Sequence, residues 1–468
     1  MPPSDYINTR KLSQEPANIT STYFSKVIDY QPYFPNLSVS ASDVSSVKHA
    51  ALVLVYSSLL VGNTSDNNGG QDVDATKLKA FLDTSAGTSD QLSCTKVTGG
   101  ITNALFRVSG FQSISNTLPN NNNTTNFDSV LVRIFGAEGM INRDIETSTY
   151  AALCHADIAY QYLGRFSNGR IEGWLDGYHP LQNSDLSDET TSLEIAKEMA
   201  RLHCLFQVPE GELRDHHCGT ELDVISVGLW DQLSSWMVQA KGYEEFKTPE
   251  DTERARGLEL DKIEMEVQTI IQSFTTTASE EENDSGDSTA SICGSSKPNV
   301  AFCHNDLLPA NIMRNKTTGH IQLIDFEYGG SNYAAFDLAN HFNEYAGGTS
   351  AEENGVPDYT RFPDSERQTK FCVEYVKMTK RLESIKSDIT DPADSSKEMV
   401  IEENEGIMNE AIQLLSHVQK FILVNHLYWG LWGVNQAAEE GCEEFDYLTY
   451  ASNRFNEYYV KKSEFEGY

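Results

Sequence analysis

The spacing of apolar and polar positions changes character once along this chain. Short β-rich runs at 93–98, 105–108, 130–134 and 171–175 dominate the stretch from about residue 92 to 175, and one helical segment at 143–153 interrupts them. From Thr191 onward helical periodicity takes over. Ile195, Met199 and Leu202 fall at i, i+4 and i+7, on one face of a helix. Further helices are predicted at 224–240, 253–273, 366–385 and 407–437. The longest apolar run, 50–61, is about half of what a bilayer span needs, so it predicts a buried helix.

Polar, low-complexity segments punctuate this pattern. Residues 1–45, rich in Ser, Asn and Pro, are expected to be partly ordered. The stretch 119–126, nearly all Asn and Thr, lies between two strands and predicts an extended hairpin loop. Residues 275–297, dense in Ser, Glu, Asp and Gly, predict a disordered insertion, and 387–396 is a further acidic, polar stretch.

With 468 residues the chain exceeds one ordinary compact domain, so two lobes are expected. The net charge of −34 excludes general affinity for nucleic acid or an anionic membrane, because both repel it. Solubility accounts for most of that charge, although a negative field also favours a cationic ligand. The eight cysteines show no CxxC and no regular spacing, which indicates neither a zinc site nor a disulfide framework. The N-terminal MPPSDYINTR has no apolar run after its charges, so no signal peptide is read there and a cytoplasmic location is expected.

Candidate chemistry is concentrated in a few places. His304-Asn305-Asp306-Leu307-Leu308-Pro309-Ala310-Asn311 follows one apolar run and precedes another. An Asp and an Asn five apart on such a loop suit phosphoryl transfer: the Asp accepts a hydroxyl proton and the Asn oxygen binds Mg²⁺. A hydrogen-bonded turn would look the same. Fourteen residues after Asn311, however, the apolar strand Leu323-Ile324 ends in Asp325, a second hard oxygen ligand. Upstream, Gly99 and Gly100, followed by Thr102 and Asn103, lie between strands, where glycines let backbone N–H groups approach phosphate oxygens. Alone, this pair is an ordinary hairpin turn. Arg133 lies inside the apolar strand LVRIFG, a costly place for an unpaired charge. It would contact ATP phosphates with Glu146 on the following helix as its partner, and a purely structural ion pair is the alternative.

Together these motifs resemble the choline/ethanolamine kinase family, over about residues 96–460. The resemblance rests on GGITNALFRV, VLVRIFG, FSNGRIEGWL, AKEMARLH, HNDLLPANIM, LIDFEYGGSNYAAFDLANHFNEYAGG, YWGLWGVNQA and FDYLTYASNRFNEYY. It implies an α+β, kinase-like two-lobed fold with a β-rich N-terminal lobe and a mostly helical C-terminal lobe. The division is then a variable N-terminal region at 1–90, an ATP-binding lobe at 91–178 and a helical lobe at 179–468. The resemblance implies ATP and Mg²⁺ as cofactors, Asp306 as catalytic base, and Asn311 and Asp325 as metal ligands. Arg133 would bind ATP, with Glu172 and Trp174 near the adenine.

The same likeness places an amino-alcohol pocket at Glu344, Tyr345, Trp429, Trp432 and Tyr450. Trp429 and Trp432, three apart on a helix, share a face and could hold a cationic head group, or else pack in the core. His203 is expected to be a core histidine. HNDLL and HFNEYAG look more like ethanolamine kinases, because choline kinases tend to carry Gln in place of Leu308 and Trp in place of Tyr345. Ethanolamine is therefore the expected substrate and choline the alternative. A pseudokinase or an aminoglycoside-type phosphotransferase fits less well, and a homodimer is left open.

Overall fold

The computed structural model describes residues 32–61, 88–97, 103–114, 128–136, 143–206, 228–280, 298–390 and 405–466. They divide into two compact units. One runs up to Tyr178 and includes Asn315–Thr317, and the other takes His179–Arg314 and the residues from Thr318 on.

The first unit is built on a six-stranded sheet. Its strands are β1 (Tyr33–Phe34), β2 (Ser93–Val97), β3 (Asn103–Ser109), β4 (Ser129–Phe135), β5 (Tyr162–Phe166) and β6 (Gly169–Gly173), in the order β1-β5-β6-β4-β3-β2. Strand β1 runs parallel to β5, and the other neighbours are antiparallel. Side chains alternate across a strand. Val130, Val132 and Ile134 of β4 therefore share a core with Val47, Ala50 and Leu54 of helix α1 (Val44–Val61), while Leu131 and Arg133 point to the opposite face. Ala50, Ala51, Leu52, Leu54, Val55 and Leu59 of the apolar run at 50–61 thus lie in this unit's core. The expected strands at 93–98, 105–108, 130–134 and 171–175 correspond to β2, β3, β4 and β6, and the helix at 143–153 to α2 (Arg143–His155). Strands β1 and β5 had no counterpart in the pattern: one is two residues long, and the other is interrupted by Gly164 and Arg165.

The second unit is mostly helical. It contains α3 (Glu189–Leu205), α4 (Leu229–Gly242), α5 (Pro249–Arg256), α6 (Leu260–Glu280), α7 (Ala334–Glu344), α8 (Ser365–Thr390), α9 (Glu405–Glu440) and α10 (Tyr447–Glu466). After β7 (Tyr178–Pro180), β8 (Val300–Cys303) pairs antiparallel with β11 (Gly330–Tyr333), and β9 (Ile312–Asn315) with β10 (Ile321–Leu323). The α+β division expected from the sequence is present.

Two expectations are corrected here. The single helix predicted at 253–273 is two. The Thr248 hydroxyl caps α5 by accepting the Asp251 N–H, Pro249 opens its first turn, and Gly257 closes it. Glu259 then takes a left-handed φ of 52° before α6 begins. Apolar spacing does not register a break made by backbone conformation. The expected insertion at 275–297 is helical as far as Glu280, and 281–297 lie outside the described residues. The loop at 119–126 also lies outside them.

Helix α9 is buried along most of its 36 residues. A Cβ at Gly430 would overlap the Phe455 ring of α10, and one at Gly433 would come within 3.0 Å of the Tyr447 carbonyl oxygen. Glycine at both positions is what lets α10 lie against α9. Among the described residues no helix is long and apolar enough to cross a membrane.

Candidate active site

Asp306 sits on the loop between β8 and β9, and a buried carboxylate holds that loop. Asp337, in the first turn of α7, accepts the backbone N–H of His304 through Oδ2 and that of Asn305 through Oδ1, each at 2.8 Å. His203 Nε2 lies 3.0 Å from the same Oδ2, and His203 Nδ1 lies 2.8 Å from the Tyr375 hydroxyl. Burial alone would raise the Asp337 carboxyl, but these bonds, led by His203, hold it below the ordinary carboxylate range. Almost one turn along α7, Asn340 Oδ1 accepts the Leu307 N–H at 2.8 Å.

His304 Nε2 reaches the Ile324 carbonyl at 2.8 Å, tying the loop to the end of β10. Asn305 adopts a left-handed φ of 66°, a conformation that asparagine tolerates better than most residues. Its side chain donates to the Tyr328 carbonyl and accepts from Asn332, both at 2.8 Å. His203 is thus a buried histidine, as expected, and also an anchor of the loop. His203, Cys303 and Asp337 cluster within 4.8 Å. Both Asp337 oxygens already accept loop amides, so the trio reads as architecture rather than as a metal centre. The sequence analysis assigned Asp337 and Asn340 no role. Their signal was two amide-binding side chains three apart on a helix, legible only once the loop is known to lie over them.

Asn311 closes the short turn Pro309–Asn311. Its Nδ2 donates to the Asp306 carbonyl at 2.8 Å and to Asp306 Oδ2 at 3.3 Å, so Oδ1 is the atom of this side chain that could ligate a metal. Its carbonyl accepts the Ile324 N–H at 3.0 Å, bringing the chain that carries Asp325 beside it. Asp325 also has a left-handed φ, 64°. Asp306 itself is half-buried. Its carboxyl is pushed well above the ordinary value by burial first, then by the charges of Glu344, Glu327 and Asp325, with the Asn311 bond opposing. Four carboxylates therefore bear on one place, an arrangement that a cation stabilises. The donors are hard oxygens, which suit Mg²⁺. Glu327, two residues after Asp325, was not singled out from the sequence.

A run of ring contacts and hydrogen bonds joins Tyr328 to Glu344, and each end is linked to Asp306 by charge. The Asp306 charge is felt by the Tyr328 hydroxyl. The Tyr328 ring meets Trp429 at 5.6 Å, Trp429 meets Trp432 at 5.4 Å, and Trp432 meets Tyr450 at 6.1 Å, all edge to face. The Tyr450 hydroxyl accepts from Arg454 Nε at 3.0 Å, and Arg454 Nη2 donates to Glu344 Oε1 at 2.9 Å. Glu344 then closes the run as the largest charge acting on Asp306. Burial raises the Glu344 carboxyl and Arg454 opposes that rise. Among the described residues Glu344 Oε2 has no hydrogen-bond partner.

Tyr345 is a correction. It is buried with its hydroxyl 3.1 Å from Ser192 Oγ and its ring against His341 and Phe342, so it faces α3 and not the tryptophans. One residue on a helix is about 100° of rotation, which is enough to part it from Glu344. Tyr328 and Arg454, which the sequence did not flag, belong to the run.

In the sheet unit, Arg133 and Arg170 face one another across β4 and β6. Arg133 Nε donates to Glu172 Oε1 at 2.8 Å, and Arg170 Nε to the same atom at 2.7 Å. Glu146 accepts from Arg170 and Arg143, each at 2.8 Å. Burial would raise Glu146, but Arg170, Arg133 and Arg143 outweigh it and hold it at about 2. Glu172 thus bonds Arg133 directly, while the charge of Glu146 acts on it as well. Glu172, expected beside adenine, turns its side chain into this network. Trp174 lies under the Arg107 guanidinium, 4.8 Å from the ring centre. Asn103 is buried at the start of β3, whereas Gly99, Gly100 and Thr102 lie outside the described residues.

Residues 94–459 match the choline/ethanolamine kinase family. A probable choline kinase of Arabidopsis thaliana is 31% identical over 336 residues, which is 71% of this chain and 77% of the relative. Ethanolamine kinase 1 of Mus musculus is 29% identical over 343 residues, 72% of this chain and 78% of the relative. Among solved structures, an ethanolamine kinase of Plasmodium vivax superposes with a TM-score of 0.60 at 21% identity, over 92% of this chain and 99% of the other.

Proposed function

Because this chain belongs to the choline/ethanolamine kinase family, we propose that it transfers the terminal phosphoryl group of ATP to the hydroxyl of ethanolamine. The product is phosphoethanolamine, and the reaction is the first step of the CDP-ethanolamine route to phosphatidylethanolamine. The observation that supports the reading is the line of Tyr328, Trp429, Trp432 and Tyr450 rings that continues through Arg454 to Glu344, with the charges of Glu344 and Asp306 acting on each other. It offers aromatic faces and carboxylates to a small cation, and it does so beside a carboxylate able to accept a hydroxyl proton.

In this reading Asp306 orients the substrate hydroxyl and takes its proton as the oxygen attacks phosphorus. Asn311 and Asp325 would hold Mg²⁺, which neutralises charge on the phosphates. Arg133, bonded to Glu172, would contact the ATP phosphates. The tryptophan faces and Glu344 attract the ammonium. The unpartnered Glu344 Oε2 favours a primary ammonium, which brings N–H donors, over a quaternary one, which brings none. A cytosolic location accompanies the reading, in keeping with free thiols at all six described cysteines.

Choline is the second reading, favoured by the choline kinases among the relatives. The test is ADP release with Mg·ATP in the presence of ethanolamine, choline or an aminoglycoside. Higher kcat/KM for ethanolamine is expected. A preference for choline replaces only the head group, and turnover of the aminoglycoside alone overturns the pocket assignment.

A further inference from the structure

The proposed pocket has one charged member that does not face the substrate. Arg454 lies on α10 with its side chain 3% exposed, and the Glu344 side chain is 5% exposed. One guanidinium edge performs two tasks there. Its Nε bonds the Tyr450 hydroxyl at 3.0 Å, its Nη2 bonds Glu344 Oε1 at 2.9 Å, and its carbon lies 5.2 Å from the centre of the Tyr450 ring. A buried carboxylate with one oxygen tied and the other unpartnered has a defined direction. Oε1 is held by Arg454, so Oε2 is the atom left to accept a bond.

We propose that Arg454 is a positioning residue for head-group selection. It fixes the Glu344 carboxylate and the Tyr450 ring relative to each other, so that Glu344 Oε2 accepts an N–H from a primary ammonium. The inference rests on the ethanolamine reading above. It is specific to arginine, because a planar fork spans two acceptors at once whereas a lysine ammonium is a single point on a flexible stem. It also predicts an unequal effect on the two amino alcohols. A primary ammonium loses a directed hydrogen bond when Glu344 is released, while a trimethylammonium, held by aromatic faces and charge alone, does not.

The experiment measures kcat and KM for ethanolamine, choline and ATP in the full chain, in Arg454→Met and in Arg454→Lys. In Arg454→Met the ethanolamine KM is expected to rise about tenfold or more, the loss of one charge-assisted hydrogen bond. The choline KM should move less than about threefold and the ATP KM less than about twofold, since neither ligand uses that bond. Arg454→Lys should fall between the two, and it carries the test by itself if the methionine variant does not fold. Adding Arg454→Met to Glu344→Gln should change the ethanolamine KM little further, because both act through one carboxylate. Equal shifts for all three ligands, unchanged constants, or multiplying effects in the double variant overturn the inference while leaving the kinase reading in place. An unaltered chain that turns over neither amino alcohol overturns that reading first, and this inference with it.

Discussion

Arg133 and Arg170 stand opposite each other on neighbouring strands and donate to the same oxygen of Glu172, at 2.8 and 2.7 Å. Like charges facing across a strand pair repel. Here Glu172 lies between them and Glu146 balances the far side of Arg170. The shared Glu172 carboxylate ties the Arg133 guanidinium to β6. Arg170→Met should therefore cost about 3–5 kcal/mol of stability, the usual penalty for leaving buried partners uncompensated. It should also raise the KM for ATP more than that for the amino alcohol. Urea unfolding with parallel kinetics checks both, and unchanged stability would mean that the network contributes nothing net.

Asp337 should matter to turnover although it is no part of the reacting set. Asp337→Asn would turn an N–H toward one loop amide that now donates to a carboxylate. A displaced Asp306 is the expected result, with kcat down by about 10²-fold, as for other small misplacements of reacting groups. Asp306→Asn should instead lower kcat by about 10²–10⁴-fold with the unfolding midpoint unchanged. A stable, fully active Asp337→Asn enzyme would remove the anchor from the account.

The tryptophans separate pocket from core. Trp432→Ala should raise the amino-alcohol KM by about two- to thirty-fold, the range of cation–π energies, with the ATP KM nearly constant. Equal changes in both constants would assign Trp432 to packing alone, consistent with its contact with the apolar cluster around Ala437 and Tyr447.

Stability should fall on mild acidification. Burial lowers His341 to about 4 from an ordinary 6.5, and burial together with Arg454 and Lys461 lowers His426 further. Between those values and 6.5 the unfolded chain binds protons that the native chain refuses. Unfolding is therefore favoured as pH drops from about 6.5 toward 4, at up to about 1.4 kcal/mol per pH unit for each histidine. Above pH 7 both are neutral in either state and the effect vanishes. His426 has no bonded partner on either ring nitrogen among the described residues, so His426→Phe should flatten the profile at little cost near pH 7. Thermal melts from pH 5 to pH 8 would show it. A melting temperature that is flat in the unaltered chain contradicts the argument.

Sequence alone exposed the parts of this molecule that rest on local pattern. Strands β3 and β4 and helices α2 and α9 were legible because apolar periodicity is a short-range signal. Asp306, Asn311 and Asp325 stood out because their residue types and spacing suit phosphoryl transfer, and backbone and side-chain bonds bring the segments that carry them together. Tyr345 was misplaced because its direction depends on which face of α7 meets α3, a tertiary fact. The bond from Arg133 to Glu172 was not legible for a similar reason: cross-strand register brings β6 beside β4, whereas Arg170 lies only two residues from Glu172 on the same strand. Arg454 lies 110 residues from Glu344, and no local pattern announces such a bond.

Gly430 and Gly433 alternate with Trp429 and Trp432 along one stretch of α9. The glycines seat the helix against α10, and the tryptophans line the proposed pocket. That seating fixes both the roll and the depth of the helix. A lineage in which this pocket drifted toward a bulkier or smaller cation could not adjust it by sliding α9, because a side chain at either glycine would collide with α10. Change would have to come by exchanging the aromatic residues themselves or their neighbours on α10. The glycines thus narrow the evolutionary routes open to substrate choice, although neither touches a substrate.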